Sequence, residues 1–270
     1  MKKLAKVLVC GALACMLFGC GDAESESKEP EKKVYIKEDQ ISDLYSNPDE
    51  FKGKYVNLTG KVFMVETDGD DIYFQMWQAV EDSDHNTIVH IDKESFKDIV
   101  EDDYISLEAV VIGEFEGENM MGGTIHAPKL EGVTIKKSSY KDVVAPTLEN
   151  IKVEQTKQSN MPGVSITIKN VELAKEETRV YVEINNESEE AYSFYSFNSV
   201  LIQDSKQFKE NQNWNADYEE VESEIPSGVK ETGVIVFEPI QANDFKIIME
   251  GQSEDYSIDS DEFSFLVKIH

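Results

Sequence analysis

From Tyr55 onward the chain alternates between apolar and polar positions. In YVNLTGKVFMVE, Val56, Leu58, Val62 and Met64 fall on one side of an extended strand, and Asn57, Thr59, Lys61 and Phe63 on the other. Asp68-Gly69 follows, a dipeptide that favours hairpins because glycine accepts the positive φ of a tight turn. IYFQMWQ resumes the period of two, with Ile72, Phe74 and Met76 opposite Tyr73, Gln75 and Trp77. TIVHID reads as a third strand, YISLEAVVIGEFEG as a fourth, and residues 124–136 hold a fifth. Two stretches carry helical spacing instead. Ile41, Leu44 and Tyr45, stopped by Pro48, predict a short helix over 38–46; Phe96, Ile99 and Val100 predict another between strands three and four.

Three strands, a helix and two more strands is an order that resembles the OB-fold, a small Greek-key barrel. Gly53-Lys54-Tyr55-Val56, Leu58-Thr59-Gly60-Lys61-Val62 and Gly113-Glu114-Phe115 carry the resemblance. Over residues 33–140 the chain looks like the OB-fold domains of bacterial secreted lipoproteins, which are related to the anticodon-binding OB group. The resemblance implies a five-stranded barrel. It does not bring the nucleic-acid activity of other OB-folds with it, because function resides in sites rather than folds.

Beyond a junction at 141–150, where Pro146 sits among polar residues and predicts a linker, no long helical pattern returns. VSITIKNVEL, TRVYVEINNES, FNSVLIQD, VKETGVIVFEPI and DFKIIMEG are strand-like runs separated by turn residues, and DYSIDSDEFSFLVKIH adds an edge strand. Residues 151–270 therefore predict an antiparallel sandwich. Three stretches resemble the telokin-like immunoglobulin domain of unknown function found in Gram-positive surface lipoproteins. These are the strand Val182 to Asn186, the run from Phe197 to Phe208 into an Asp turn, and Ile225-Pro226-Ser227-Gly228 with its returning strand Gly233 to Glu238. That family carries no assigned catalytic residues. The immunoglobulin cysteine pair is absent, so the sandwich must stand on packing alone.

The first residues change the picture. Lys2, Lys3 and Lys6 precede an apolar run that ends at Gly19, too short to span a bilayer comfortably, since a span needs about 20 residues. Leu17-Phe18-Gly19-Cys20 resembles the lipobox of bacterial lipoproteins, which implies cleavage after residue 19 and acylation of Cys20. All three cysteines lie within the first 20 residues, so the mature chain keeps only Cys20 and forms no internal disulfide. A diacylglycerol supplies two acyl chains, each buried CH₂ contributing about 0.8 kcal/mol, which is enough for stable anchoring. Residues 20–32 then read as a flexible tether. The expected location is the extracytoplasmic face of the cell membrane, with membrane lipid as one partner.

Cleavage would remove three lysines and no acid, taking the formal net charge from −28 to −31. Residues 33–140 carry ten basic and 23 acidic side chains and residues 151–270 ten and 24, so both halves are acidic. Such a field repels phosphate, argues against nucleic acid as a partner, and attracts basic proteins or divalent cations.

Candidate chemistry is sparse. His85, His90, His126 and His270 show no zinc spacing, and neither a nucleophile elbow nor a phosphate loop occurs. Asp68, Asp70 and Asp71 crowd the first hairpin and are the candidate calcium ligands, although the turn lacks the downstream Glu of an EF-hand. Glu81, Asp82 and Asp84, and Asp255, Asp259, Asp261 and Glu262, form further acidic groups. No other cofactor is expected. On the barrel, Tyr73 and Trp77 point outward, beside Phe63 and His90, and form the candidate ligand face. The competing expectation is that the N-terminal helix or the second module covers them, since large exposed apolar patches are uncommon. The expected function is a non-enzymatic interaction or envelope-associated module with an unidentified protein partner. The alternative is a ligand- or glycan-binding lipoprotein using the aromatic barrel face.

Overall fold

The computed structural model describes residues 32–81, 83–118, 123–254 and 260–269. Cys20, Asp82, Asp255, Asp259 and His270 lie outside them. A 3₁₀ turn at Glu38–Gln40 leads into α1 (Ile41–Ser46), and Leu44 at its centre is fully buried. Five strands follow: β1 (Tyr55–Asp68), β2 (Asp71–Ala79), β3 (Asp84–Asp92), β4 (Tyr104–Glu118) and β5 (Thr124–Lys137), with α2 (Lys93–Phe96) between β3 and β4. They close into a barrel in the order β1-β2-β3-β5-β4, with β4 returning to β1 and only β3 and β5 parallel. Closure leaves none of the five as a free edge along its whole length. The interior is filled from every strand, by Val56, Leu58 and Val62, by Ile72, Phe74 and Met76, and by Val89, Ile91, Ile105, Leu107 and Leu130. Gly60 serves this closure. A Cβ there would lie 2.4 Å from the Trp77 carbonyl oxygen, so β1 and β2 approach more closely than any side chain allows.

Two details of the barrel depart from simple alternation. The β1–β2 register shifts between Val62 and Met64, a bulge that opposes an extra residue to the partner strand. Beyond it the faces exchange: Met64, expected inside, is exposed, and Val65 turns to the core instead. The second helix is a single turn. Asp92 caps its start through the Ser95 amide, and the Val100 amide donates to Asp103 Oδ2 at 3.0 Å, which turns the chain toward β4. Phe96 and Ile99 are buried as their spacing predicts, whereas Val100 faces solvent.

The segment expected as a linker holds α3 (Tyr140–Val143), capped by Ser139, and the first residues of β6 (Thr147–Gln158). Then come β7 (Val164–Ala174), β8 (Thr178–Asn186), β9 (Tyr192–Gln203), β10 (Lys206–Lys209), β11 (Glu224–Ile225), β12 (Lys230–Phe237), β13 (Phe245–Ser253) and β14 (Asp261–Val267). One sheet runs β12-β8-β7-β6. The other runs β10-β9-β13-β14, with β11 also on β9. Their inner faces share one core, including Ile166, Ile168, Val182, Ile184, Phe194, Leu201, Ile247 and Phe265. The molecule is thus mainly β, a barrel followed by an antiparallel sandwich.

Two loops of the sandwich are locked by buried polar side chains. Gly228 sits at φ +76° in the turn from Pro226 to Val229, the conformation its sequence implies. Beside it the buried Asn186 donates to the carbonyls of Glu190 and Ile225, both at 2.8 Å, and accepts from the Ser188 amide. Asp261, read from sequence as one of an acidic cluster, is buried; it accepts from Ser159, from Asn160 and, at 3.3 Å, from the Tyr192 hydroxyl. It therefore ties the start of β14 to the β6–β7 loop.

Barrel and sandwich belong to one compact unit spanning residues 34–270. Their contact is a small cluster in which Val80 and Tyr104 of the barrel meet Tyr140, Val144, Ala145, Ala174 and Tyr218. Among the described residues no helix is long and apolar enough to cross a membrane.

Candidate functional site

The outer face of the barrel follows from strand parity. With Ile72, Phe74 and Met76 inside, Tyr73, Gln75 and Trp77 must face out. The bulge adds Phe63 and Met64 to the same side. The Phe63 and Trp77 rings stack at 4.2 Å with 16° between their planes. Gln75 bridges the row, donating to Met64 Sδ at 3.2 Å and accepting from Asn86 at 2.9 Å. Tyr73 lies across the β2–β3 ladder from His90, their ring centroids 4.9 Å apart. The four sequence-predicted residues Phe63, Tyr73, Trp77 and His90 therefore share one face.

Neither expected cover is on this face. Tyr73 is 38 % exposed and Met64 39 %, with Phe63 and Trp77 half-buried. The helix α1 lies elsewhere: its Tyr45 stacks on His85 at 4.2 Å and shares a 2.6 Å hydrogen bond with Thr87. The sandwich meets the barrel at Val80 and Tyr104, away from Tyr73.

Carboxylates rim the aromatic row. His90 Nδ1 is 2.8 Å from Glu131 Oε2, and its Nε2 is 3.0 Å from Asp71 Oδ1. The Glu131 hydrogen bond, aided by Asp71 and opposed by partial burial, raises the His90 pKa above the ordinary 6.5. This arrangement also bears on calcium. Asp71 is engaged with His90, Asp68 stands opposite Asp71 across the hairpin, and Asp70 occupies the turn. Among the described residues no three His, Cys, Asp or Glu side chains gather as metal ligands would. The candidate calcium ligands Asp68, Asp70 and Asp71 thus lie along one hairpin without converging, among the described residues, into such a group. The other described histidines have separate partners: His85 Nδ1 is 2.9 Å from Gln78 Oε1, and His126 Nδ1 is 2.8 Å from Glu114 Oε1.

A second site was not foreseen from sequence. Where barrel and sandwich meet, a cleft of about 740 Å³ opens, lined by Tyr104, Tyr140, Tyr181 and Tyr218. Beneath it lies Arg179, the only arginine of the chain and fully buried. Its guanidinium donates to Glu172 Oε2 at 2.9 Å, Glu177 Oε1 at 2.7 Å, the Ala145 carbonyl at 2.9 Å, Thr147 Oγ1 at 2.7 Å and the Tyr218 hydroxyl at 3.1 Å. Tyr218 in turn donates to Glu177, and Tyr181 to Glu172 at 3.0 Å. Lys141 of α3 adds a second cation, 2.8 Å from Glu172 Oε1. Burial opposes the Glu172 carboxylate, but the hydrogen bonds from Lys141, Arg179 and Tyr181 outweigh it and hold its pKa below the usual value. Burial, with Glu177 nearby, pushes the Tyr218 hydroxyl well up. The barrel face and the cleft adjoin. Lys61 stands opposite Trp77 on β2 and opposite Tyr104 on β4, so Trp77, Lys61 and Tyr104 form one cross-strand row.

Comparison with known proteins finds no matching family model and no matching curated protein. Among solved structures, a functionally unknown protein from Listeria monocytogenes EGD-e aligns over 49 % of this chain and 94 % of its own, at 10 % identity and a TM-score of 0.39. A chain assigned as an aspartyl-tRNA synthetase from Leishmania major Friedlin aligns over 42 % of this chain and 22 % of its own, at 14 % identity and a TM-score of 0.29.

Proposed function

We propose that this protein is a non-enzymatic interaction module, held by acyl chains on Cys20 at the extracytoplasmic face of a bacterial membrane. In this reading it is one of the Gram-positive lipoproteins that join an OB-fold domain to a telokin-like immunoglobulin domain. Its partner is a protein bound through the outer face of the barrel. The observation that carries the reading is the open row of Phe63, Met64, Tyr73 and Trp77, with Tyr73 38 % exposed. Aromatic and methionine side chains held in fixed positions are the usual anchors of a protein interface, and a ring of polar groups completes it. Here the ring is acidic, with Glu66 opposite Tyr73 on β1 and with Asp71 and Glu131 beside His90. The matching surface on the partner is an apolar pocket bordered by lysine or arginine.

A photo-crosslinking amino acid at position 73, in intact cells, tests this. A discrete adduct that disappears with Trp77→Ala is the expected result. Adducts no different from those of a crosslinker placed at exposed Leu148 would contradict it.

A further inference from the structure

We propose that the cleft between barrel and sandwich is a carbohydrate site that takes a neutral oligosaccharide. Its volume, about 740 Å³, lies within the range of ligand-binding clefts. Three features select the ligand class.

The first is a set of rings fixed in advance. The hydroxyls of Tyr181 and Tyr218 are tied to Glu172 and Glu177 by the network around Arg179, and Tyr140 meets Tyr104 edge-on at 5.7 Å. With their polar ends held, Tyr181 and Tyr218 line the cleft at little further cost in side-chain entropy. Ring surfaces of this kind pack on the C–H faces of a sugar.

The second is the polar lining, which offers donors and acceptors together. Ser138 and Thr232 supply hydroxyls, Asn170 and Asn215 supply amides, and Asp217 and Glu219 supply carboxylates. A sugar hydroxyl both donates and accepts, so a mixed lining matches it. Beside Asn215, Trp214 is 78 % exposed on the same turn, where the Asn215 backbone N–H donates to Asn213 Oδ1 at 3.1 Å.

The third is charge. In a chain of net charge −28 the cleft is nearly balanced, with Lys137, Lys141 and Lys169 against Asp102, Asp103, Asp217 and Glu219. All three lysines are already paired: Lys137 with Asp103 at 2.6 Å, Lys141 with Glu172 at 2.8 Å and Lys169 with Glu154 at 3.1 Å. An anionic ligand would have to break one of these pairs, whereas a neutral one leaves them intact. This proposal is independent of the protein partner assigned to the barrel face.

The test is calorimetric titration of the full chain, in a detergent without a sugar headgroup, with maltotetraose, cellotetraose and chitotetraose. At least one should bind. Tyr104→Ala and Asn215→Ala should each weaken it by about tenfold or more, with the melting temperature of Asn215→Ala unchanged. Leu266→Ala, on the other sheet, should bind as the parent does. No binding by any of the three at millimolar concentration would overturn the proposal. So would binding that survives both cleft variants, or binding lost on Tyr73→Ala alone, which would move the sugar to the barrel face. A lysine-rich peptide that occupies the cleft where the sugars fail would also overturn it.

Discussion

Replacing Arg179 by Met gives the sharpest energetic test of the junction. The guanidinium is fully buried and makes five hydrogen bonds to groups from β6, β7, the β7–β8 loop, the segment before β6 and the loop carrying Tyr218. Met fills much of the volume but removes the cation. Glu172 then retains Lys141, while Glu177, its side chain only 4 % exposed, loses its ion pair and keeps hydrogen bonds from Tyr218 and from Asn213 at 2.9 Å. Removing one partner of a buried pair costs about 3–5 kcal/mol, most of it the desolvation of the charge left behind. Arg179→Met should therefore lose about 3–5 kcal/mol in urea denaturation followed by far-UV circular dichroism. Arg179→Lys should fall between parent and Met, because three donors cannot serve five acceptors. Adding Glu177→Gln to Arg179→Met removes the stranded charge while keeping hydrogen bonds, and should regain about 1–2 kcal/mol. A single variant within about 1 kcal/mol of the parent, or a double variant no better than the single, would refute this reasoning. The parent itself should weaken in acid. The Glu172 pKa is depressed, so its contribution is complete above about 4.5 and is lost as pH falls through the lower folded value.

The His90 ring should titrate above 6.5 by NMR, and Glu131→Gln should bring it down; the linked stability is full below about 6.5 and is lost as pH rises through the folded value. A His90 that titrates at or below 6.5 would contradict the pairing. Gly228→Ala should cost only about 1 kcal/mol, since its Cβ meets nothing within 4 Å and only the positive φ is penalised. Gly60→Ala should cost several times more by thermal denaturation, because its Cβ would sit 2.4 Å from the Trp77 carbonyl oxygen. Asn186→Ala should cost about 2–4 kcal/mol by the same assay, stranding the carbonyls of Glu190 and Ile225.

Much of the architecture can be read from the sequence because strand burial has a period of two. Ile72, Phe74 and Met76 line the barrel core as their alternation requires, and Tyr73 and Trp77 face out for the same reason. The bulge at Phe63 escaped because one extra residue leaves no mark in the composition of a strand. It moved Met64 outward, where it extends the aromatic row. The strand β6 escaped because Pro146 and a polar run resemble a linker, while only Ile151 and Val153 point to the sandwich core. The junction cleft escaped for a different reason. Tyr104, Tyr140, Tyr181 and Tyr218 are scattered over more than a hundred residues, and only the docking of two β modules brings them together. One signal was available: the lone arginine of the chain stands two residues after Glu177 and seven after Glu172, close enough in sequence to pair with both across the β7–β8 hairpin. Within the acidic runs, Asp71 is engaged with His90 and Asp261 with the β6–β7 loop, pairings that charge composition alone does not show.

The proposed function requires the protein to lie outside the cell membrane, anchored through Cys20. Metabolic labelling with a radioactive fatty acid, followed by fractionation, measures this directly. The parent should carry label and sediment with membranes, and Cys20→Ser should carry none. A parent chain that stays unlabelled and is recovered from the cytosol would contradict the proposal.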